Sequence, residues 1–499
     1  MRRLVGLVGL VAGLSLLAVG TTASAAVGPL APVSGLSPFA AGCNGVPQSG
    51  TEYRNAEVEP HINVSVADPS NVVGAWQQDR YSNGGANGQL AAYSLDGGDN
   101  WTIPPLSPAS DTGQAKFSRC TFGNAVNGGD FERATDPWVG SSPNGVLHQV
   151  SLAINDSDTQ NAILTARSTD NGANWEDPVT IKFDDNPTVF NDKQTLTANQ
   201  YDSRFVYTTW QRLVSPREQA SARAAINAVP FRSVAWFARS DDNGRSYGVV
   251  KPVFDPGNFN QTLGNQIVAL PNGDLVMAFN WIRNTGFGQN PRVPRLTAAV
   301  IRSTDNGDTW SRPIVIDRML TDGVRDPADG HAVRTGDLIP QIAVDDRTGK
   351  LYVVWQDDRF TGEEQIALAT STDGGRSWSA TRRISKVGGA NQAFTPSVTV
   401  ADDGRVAVTH YDFRNDAATP GPPLTTASWI LRSSDGGATF SEEQMGAAFD
   451  MTTAPDARGY FVGDYEGLDF GPGGFKPFFV RANDGNLVNR TDVFVTTAP

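Results

Sequence analysis

The chain has 499 residues, and 40 Lys and Arg against 53 Asp and Glu give it a formal net charge of −13. So acidic a surface repels nucleic acid and anionic membranes, which argues against both as partners. A chain of this length usually forms several domains, but 51 Gly, 31 Pro and 11 Trp, with regularly spaced turns, favour one large repetitive β fold.

Residues 1–25 have the pattern of a signal peptide. Arg2 and Arg3 precede an apolar run over Leu4–Val19, and Ala23-Ser24-Ala25 fits the small-x-small cleavage pattern. The run is shorter than the roughly 20 residues that cross a bilayer. We therefore expect a secreted, extracellular protein that begins at Ala26, has no membrane anchor and acts as a monomer.

The chain contains two cysteines, Cys43 and Cys120. Both lie in Gly- and Asn-rich loop sequence, where little would bury a free thiol. In an oxidising compartment such a pair tends to close, so the sequence predicts one disulfide.

An internal repeat runs through most of the chain. The pattern Ser-x-Asp-x-Gly-x-x-aromatic occurs six times, and successive copies start 62 to 74 residues apart. That spacing suits one four-stranded blade of a propeller per copy. The aspartate of each copy is predicted to accept hydrogen bonds within its own hairpin turn, a structural role. The six aspartates are Asp96, Asp170, Asp242, Asp305, Asp373 and Asp435.

This motif is the Asp-box, or BNR, repeat, and through it the chain resembles the sialidase (neuraminidase) superfamily. The resemblance implies an all-β propeller of four-stranded blades, here over residues 51–499 after an N-terminal extension at 26–50. Six blades is the number that the resemblance implies. Three further strands follow the sixth repeat, and the segment Tyr53–Val58 could add a fourth to them and close a seventh blade, which we favour slightly.

Propeller topology places most of the long loops on one face, opposite the Asp-box turns. Long loops on one face of a rigid scaffold indicate a binding surface, although tolerated insertions are an alternative. One loop contains a predicted helix over Pro216–Ala228, opened by a capping box of Ser215 and Glu218. The long loops are Tyr81–Gly88, Pro108–Ala134, Asn284–Pro294, Leu320–Asp337 and Asn415–Leu424.

Charged residues recur at the strand ends that face these loops. Second strands end in arginine, and first strands begin beside acids. The set is a ring that grips a sugar or, alternatively, a series of interblade ion pairs. The arginines, our candidates for substrate binding, are Arg80, Arg283, Arg359 and Arg414, and the acids are Glu59, Asp136, Asp192 and Asp464.

The resemblance to sialidases also implies three arginines on the substrate carboxylate, an aspartate as general acid and a tyrosine nucleophile paired with a glutamate. Gln78-Asp79-Arg80 loosely matches the Asp-x-Arg of that family. Two elements are missing, because His61-Ile62-Asn63 replaces Arg-Ile-Pro and the loop over Tyr81–Tyr93 contains no aspartate.

The candidates for catalysis are Tyr465, Asp136 and Glu466. Tyr465 stands at the start of a late inner strand, where the resemblance implies the nucleophile. Glu466 adjoins it in sequence but would point to the opposite face of a strand, so the carboxylate that takes the phenolic proton would come from another blade.

We expect no cofactor. The four histidines show no zinc spacing, and the sequence has neither a nucleophile elbow nor a phosphate-binding loop. A structural calcium ion in the acid-lined channel remains an alternative. Two hypotheses remain: a secreted sialidase-type glycoside hydrolase that acts on glycans or glycoconjugates, and a non-catalytic propeller that binds glycan or protein.

Overall fold

The computed structural model describes residues 26–226, 232–284, 294–389 and 391–499. The signal peptide predicted over 1–25 lies outside these residues. Within them the chain is almost entirely β-structure, with one helix, α1 (Ala222–Ile226), and three short 3₁₀ turns at Arg119–Thr121, Asp358–Phe360 and Met451–Thr453. No helix in the described ranges could cross a membrane.

The strands are numbered in chain order. The first part of the chain contains β1 (Ala31–Pro32), β2 (Glu52–Val64), β3 (Val72–Tyr81), β4 (Ala86–Ser94), β5 (Arg133–Ser141), β6 (Leu147–Ile154), β7 (Gln160–Ser168), β8 (Val179–Asp185), β9 (Val189–Ala198), β10 (Val206–Val214), β11 (Arg232–Ser240) and β12 (Val249–Phe254). The middle contains β13 (Asn260–Ala269), β14 (Leu275–Asn284), β15 (Pro294–Arg295), β16 (Thr297–Ser303), β17 (Ile314–Arg318), β18 (Val324–Arg325), β19 (Ala332–Arg334), β20 (Gln341–Val344), β21 (Leu351–Asp357), β22 (Gln365–Ser371) and β23 (Arg382–Arg383). The last part contains β24 (Ala393–Val400), β25 (Val406–Asp412), β26 (Thr425–Ser433), β27 (Ser441–Gln444), β28 (Phe449–Asp450), β29 (Tyr460–Phe461), β30 (Gly467–Gly471), β31 (Gly474–Ala482) and β32 (Thr491–Val495).

Most strands pair antiparallel with their neighbours in sequence, in consecutive groups. The groups begin at β2, β5, β9, β13, β20, β24 and β30. These seven first strands contact one another in that order, and β30 contacts β2, so they surround one axis. Among the described residues no single sheet closes on itself, since the ring is formed by packing between groups rather than by one continuous ladder.

Large side chains fill the space between neighbouring groups. Trp76, Trp210 and Trp355 occupy similar places in the second strands β3, β10 and β21, and all three are fully buried. Each indole N–H finds an acceptor, on Gln78, Asn191 and Asp357 respectively, at 2.8 to 3.1 Å. A buried indole contributes a large apolar area without leaving its N–H unpaired, so these residues fix the packing of the sheets.

The six repeated turns share one set of hydrogen bonds. In the fourth, Ser303 Oγ donates to Asp305 Oδ1 at 2.7 Å, and Thr309 N donates to the same oxygen at 2.8 Å. Bonds from Thr309 and Ser303 lower the pKa of Asp305 to about 2. Gly307 has a φ of 88°, and a Cβ there would lie 2.3 Å from the Phe237 ring, so only glycine fits. The Ser–Asp bond, 2.7 to 2.9 Å long, recurs in all six turns.

The chain ends meet differently from the prediction. We expected Tyr53–Val58 to complete the C-terminal group, but that segment belongs to β2 and pairs mainly with β3. Its one strand pairing with the C-terminal group, among the described residues, is the parallel pair Ala56 and Thr491. The strand that extends this group is β1, since Ala31 and Pro32 pair antiparallel with Val495 and Phe494. The physical reason is that β2 reaches β32 only at Thr491, so the backbone groups of Phe494 and Val495 pair with β1 instead.

Two local predictions have different outcomes. Cys43 and Cys120 form the predicted disulfide, which links the segment after β1 to the loop after β4.

The predicted helix over Pro216–Ala228 is wrong in its extent, because α1 begins at Ala222. Backbone bonds from Ser215 N to Thr188 O and from Gln219 N to Pro187 O hold the preceding residues in a loop instead of a capped first turn. Residues 227 and 228 lie outside the described residues.

Candidate functional site

The first strands enclose a cleft of about 530 Å³ at one end of their common axis. The loop over Leu320–Asp337 contributes much of its wall, as the position of the long loops leads one to expect. Charged side chains of both signs line it. The basic ones are Arg80, Lys193, Arg325, Arg334 and Arg458, and the acidic ones are Asp136, Asp192, Asp337 and Asp464.

A repeated irregularity in the first strands brings three charged residues to the axis. Glu59 in β2, Asp136 in β5 and Lys193 in β9 all have left-handed backbones, with φ of 51° to 55°, where the strand pairing shifts register. Pro60 and Pro137 follow the two acids, and proline suits a bulge because it has no N–H to pair. Left-handed non-glycine residues are strained, and such strain is concentrated at functional sites.

Lys193 is the centre of a buried charge cluster. Its Nζ lies 2.8 Å from Glu59 Oε1, 2.7 Å from Asp464 Oδ2 and 3.7 Å from Asp136 Oδ2. Burial raises the pKa of Glu59 to about 8, and the nearby Lys193 ammonium group opposes this rise. Burial opposes the ionisation of Asp464 as well, but Arg334 and Lys193 outweigh it and hold the pKa of Asp464 well below its usual value.

Arg334 reaches this cluster from a small sheet above the cleft. β19 pairs antiparallel with β18 and parallel with β29, and Arg334 donates from Nε and Nη2 to Asp464 at 3.1 and 2.6 Å. The chain after β19 passes so close to Asp464 that a Cβ on Gly336 would lie 1.8 Å from the Asp464 carbonyl oxygen. Glycine at this position therefore permits the approach that brings Arg334 and Asp337 to the cleft.

Three further arginines in the cleft have no carboxylate partner among the described residues, namely Arg80, Arg325 and Arg458. Arg325 is exposed, and its Nη1 donates to the Gly330 carbonyl oxygen at 3.4 Å. Arg80 is 2% exposed, its Nη1 donates to Gln77 Oε1 at 2.7 Å, and its Nε has no hydrogen-bond partner. Burial, with Arg334 nearby, lowers the pKa of Arg80 to about 10, so it remains charged at neutral pH. Arg458 is exposed in a tight turn at φ 72°, and no hydrogen bond or ion pair holds its guanidinium. Unpaired cations, one of them buried, suit an anionic ligand.

Only one of the four predicted substrate-binding arginines lies in the cleft. Arg80 lines it, whereas Arg283, Arg359 and Arg414 do not. Arg283 donates to Thr297 Oγ1 at 3.1 Å, and its guanidinium lies 4.2 Å from the centre of the Trp281 ring. The other two make carboxylate pairs within the scaffold, Arg359 with Asp357 and Asp317, and Arg414 with Asp412 and Glu442.

Of the three candidates for catalysis, Asp136 lines the cleft. Thr135 Oγ1 donates to Asp136 Oδ1 at 2.9 Å, and Asp136 Oδ2 is buried without a hydrogen-bond partner. Lys193 lies beside this second oxygen at the distance given above. A buried carboxyl oxygen without a hydrogen-bond donor at the wall of a cleft marks a candidate functional group.

Tyr465 and Glu466 do not form a nucleophile and base pair. The Tyr465 hydroxyl donates to the Pro137 carbonyl oxygen at 3.0 Å, and burial raises the pKa of this phenol well above its usual value. Glu466 is buried on the opposite side, beside Thr409 and Tyr411, where burial raises its pKa to about 8. Both residues precede β30, which begins at Gly467, so Tyr465 does not stand in the predicted strand. Their side chains nevertheless have different surroundings, and the two groups are separated as the sequence predicts.

Several residues of the site carry no sequence signal of their own. Arg334 ends β19, whereas Asp337 and Arg458 lie in loops, and the three come together only when β19 pairs with β29. Lys193 adjoins the predicted acid Asp192, but its left-handed backbone, which turns it to the axis, is a tertiary feature. Within the described parts of the chain, no group of three or more His, Cys, Asp or Glu could hold a metal ion.

Comparison with known proteins identifies the repeat. Residues 253–460 match the family described as a BNR repeat-like domain. The matched segment spans the last three of the six repeated turns, those of Asp305, Asp373 and Asp435, and confirms the resemblance inferred from the motif. No curated protein matches the chain in sequence.

Solved structures of similar shape include three glycoside hydrolases. The chain is similar to an α-L-arabinofuranosidase of Fusarium graminearum (12% identity, 77% of this chain and 92% of that one, TM-score 0.44). It is also similar to an α-L-arabinanase of Penicillium chrysogenum in complex with arabinobiose (12%, 95% and 98%, 0.45). A third is the NanB sialidase of Streptococcus pneumoniae (14%, 92% and 70%, 0.43). Similarity at this level assigns no activity to the present protein.

Proposed function

We propose that this protein is a secreted seven-bladed β-propeller whose axial cleft binds and hydrolyses an acidic extracellular glycan. The cyclic contact of seven first strands supports the blade count, with β1 completing the last blade. The BNR repeat-like domain and the signal-peptide pattern support the class and the location.

The observation that carries the proposal is that three arginines, Arg80, Arg325 and Arg458, lie in one cleft of a strongly acidic chain without a carboxylate partner among the described residues. A net charge of −13 repels anions from the surface as a whole, so local cations serve to capture one. Guanidinium groups bind carboxylates through two parallel hydrogen bonds, which gives both energy and orientation. The ligand group that fits is the carboxylate of an acidic sugar.

In this proposal Asp136 is the catalytic carboxyl. Glycoside hydrolysis requires an acid that protonates the leaving oxygen, and Asp136 presents a buried oxygen without a donor at the cleft. Tyr465 then has a positioning role, because its bond to the Pro137 carbonyl fixes the backbone directly after Asp136.

A second candidate is a glycan-binding propeller without catalysis. It is favoured by one observation, namely that the hydroxyl of Tyr465 is bonded to a backbone carbonyl and has no carboxylate to take its proton. Binding in the cleft is common to both candidates.

A panel of 4-methylumbelliferyl glycosides, including the α-sialoside and the α-L-arabinofuranoside, separates the two. For the hydrolase we expect turnover of at least one acidic glycoside by the purified protein, loss of turnover in Asp136→Asn, and unchanged turnover in the control Asp99→Asn, an exposed aspartate of the first repeated turn. Glycan binding measured by calorimetry without any turnover supports the second candidate. Absence of both contradicts the proposed function.

A further inference from the structure

We propose that the ligand of the cleft is zwitterionic, an acidic sugar that also carries a free amino group. The inference rests on the proposed function and narrows its substrate class. It follows from the charges that remain in the cleft once the internal ion pairs are taken into account.

The internal pairs neutralise part of the charge in the cleft. Lys193 and Arg334 are both committed to Asp464, and Lys193 also to Glu59 and Asp136. These residues therefore hold the blades together at the axis and leave little net charge for a ligand.

Charges of both signs remain unpaired in the cleft. Arg80, Arg325 and Arg458 form no ion pair with a described residue, and neither do Asp192 and Asp337, although all five line the cleft. Asp192 accepts hydrogen bonds from Gln211 Nε2 at 3.2 Å and from Lys193 N at 3.0 Å, both uncharged donors. Asp337 is half-buried, and no ion pair binds its carboxylate within the described ranges.

A ligand with only a carboxylate would satisfy the arginines and bring its charge towards two unpaired aspartates. A ligand that adds an ammonium group pairs both sets at once, because each buried charge then receives an opposite partner. Burial raises the pKa of Asp192 and of Asp337 to about 6, so both are largely ionised at pH 7.5 and can bind an ammonium group.

The rest of the lining agrees with recognition by charge. No aromatic side chain of the described residues lines the cleft, so a sugar ring finds no stacking surface there. Leu213, Leu263 and Val324 supply an aliphatic wall that excludes water and strengthens the ionic contacts.

Calorimetry at pH 7.5 with two matched pairs of compounds tests the inference. One pair is the methyl α-glycosides of neuraminic acid, whose amine is free, and of N-acetylneuraminic acid; the other is 2-amino-2-deoxyglucuronic acid and its N-acetyl derivative. In at least one pair we expect the free amine to bind at least 10-fold tighter than the N-acetyl form.

Variants assign the preference to the two aspartates. We expect Asp337→Asn and Asp192→Asn each to reduce the preference at least 3-fold while the affinity for the N-acetyl form stays within 2-fold. The control Asp99→Asn should change neither value, and thermal unfolding establishes that each variant is folded. Equal affinity, or a preference for the N-acetyl form, overturns the zwitterion inference and leaves the proposed function intact. Binding of no compound in either pair, with no turnover on the glycoside panel, contradicts the proposed function itself.

Discussion

The hydroxyl of Tyr465 and the carbonyl oxygen of Pro137 are 3.0 Å apart and join the last group of strands to the second across the axis. Pro137 directly follows Asp136, whose side chain lines the cleft. The tyrosine that the family resemblance suggests as a nucleophile is thus bonded to the backbone that carries the candidate acid. Its chemistry is better described as support for Asp136 than as attack on substrate.

This relationship predicts unequal effects of two conservative changes. Tyr465→Phe removes one buried hydrogen bond and is expected to cost about 1 kcal/mol of unfolding free energy and less than about 10-fold in kcat. Asp136→Asn is expected to lower kcat by ~100-fold or more, the usual scale for loss of a general acid. Urea unfolding and kcat on the best glycoside of the panel measure both. Complete loss of turnover in Tyr465→Phe, with the fold intact, would restore the tyrosine as nucleophile.

Arg458→Ala tests anion capture without disturbing the core, since the side chain is exposed and makes no internal ion pair. We expect ~10-fold weaker binding of acidic sugars, about 1.4 kcal/mol, with unchanged binding of neutral sugars and an unchanged melting temperature. Arg204→Ala is the matched control, because Arg204 is an exposed arginine paired with Asp202 outside the cleft. An equal loss of affinity for acidic sugars in the two variants would mean that the net charge of the protein, and not Arg458 itself, determines binding.

Lys193→Met is expected to destabilise the protein strongly. Removal of this cation leaves Glu59, Asp136 and Asp464 facing one another with less compensation, and breaking a buried ion pair costs on the order of 3–5 kcal/mol. Adding Glu59→Gln should recover part of the loss by removing one of the acids. Urea unfolding at pH 7 measures the single and double variants, and the exposed Lys386→Met serves as control, with a change below about 0.5 kcal/mol. If Lys193→Met left the free energy of unfolding unchanged, the cluster would contribute nothing to stability.

Glu466 makes stability depend on pH in a definite direction. Its pKa is raised by burial from an ordinary 4.5 to about 8, so the folded protein binds this proton more tightly than the unfolded chain does. The contribution to stability is complete below about pH 4.5 and declines by ~1.4 kcal/mol per pH unit as pH rises towards 8.

Glutamine resembles the protonated form, so Glu466→Gln should unfold at higher urea than the native protein at pH 8, with the difference shrinking as pH falls to 5. Glu218→Gln, at an exposed loop position, is the control and should show no such trend. Parallel stability curves for Glu466→Gln and the native protein would exclude a buried, protonated Glu466.

The disulfide is expected to stabilise the fold by restricting the unfolded chain. Cys43 and Cys120 are 77 residues apart, and a loop of that length corresponds to about 4 kcal/mol in the chain-entropy account. The double variant Cys43→Ser/Cys120→Ser should therefore lose a few kcal/mol in urea unfolding. A reducing agent should lower the stability of the native protein to that of the variant and leave the variant unchanged. If the native protein and the double variant were equally stable before reduction, the bridge would not constrain the unfolded state.

The sequence by itself determined the parts of this protein that depend on local chemistry. Six Ser-x-Asp-x-Gly turns follow from residues that bond within their own hairpin, so the repeat and the all-β class could be predicted without a structure. The pair of cysteines predicted the disulfide for a similar reason, since only one pairing exists. Asp136 and Arg80 could be predicted because first strands repeatedly begin beside acids and second strands repeatedly end in arginine.

Only the tertiary structure decided which charges meet. Arg359 and Arg414 lie at the ends of second strands, as Arg80 does, but each also pairs with a carboxylate distant in sequence, Asp317 and Glu442 respectively, whereas Arg80 meets the Gln77 amide and forms no ion pair with a described residue. Arg334 and Arg458 come together through the pairing of β19 with β29, a contact between residues more than 120 positions apart. Electrostatic partnership depends on distance in space and on burial, and a linear pattern records neither, so the composition of the cleft could not be predicted from the chain alone.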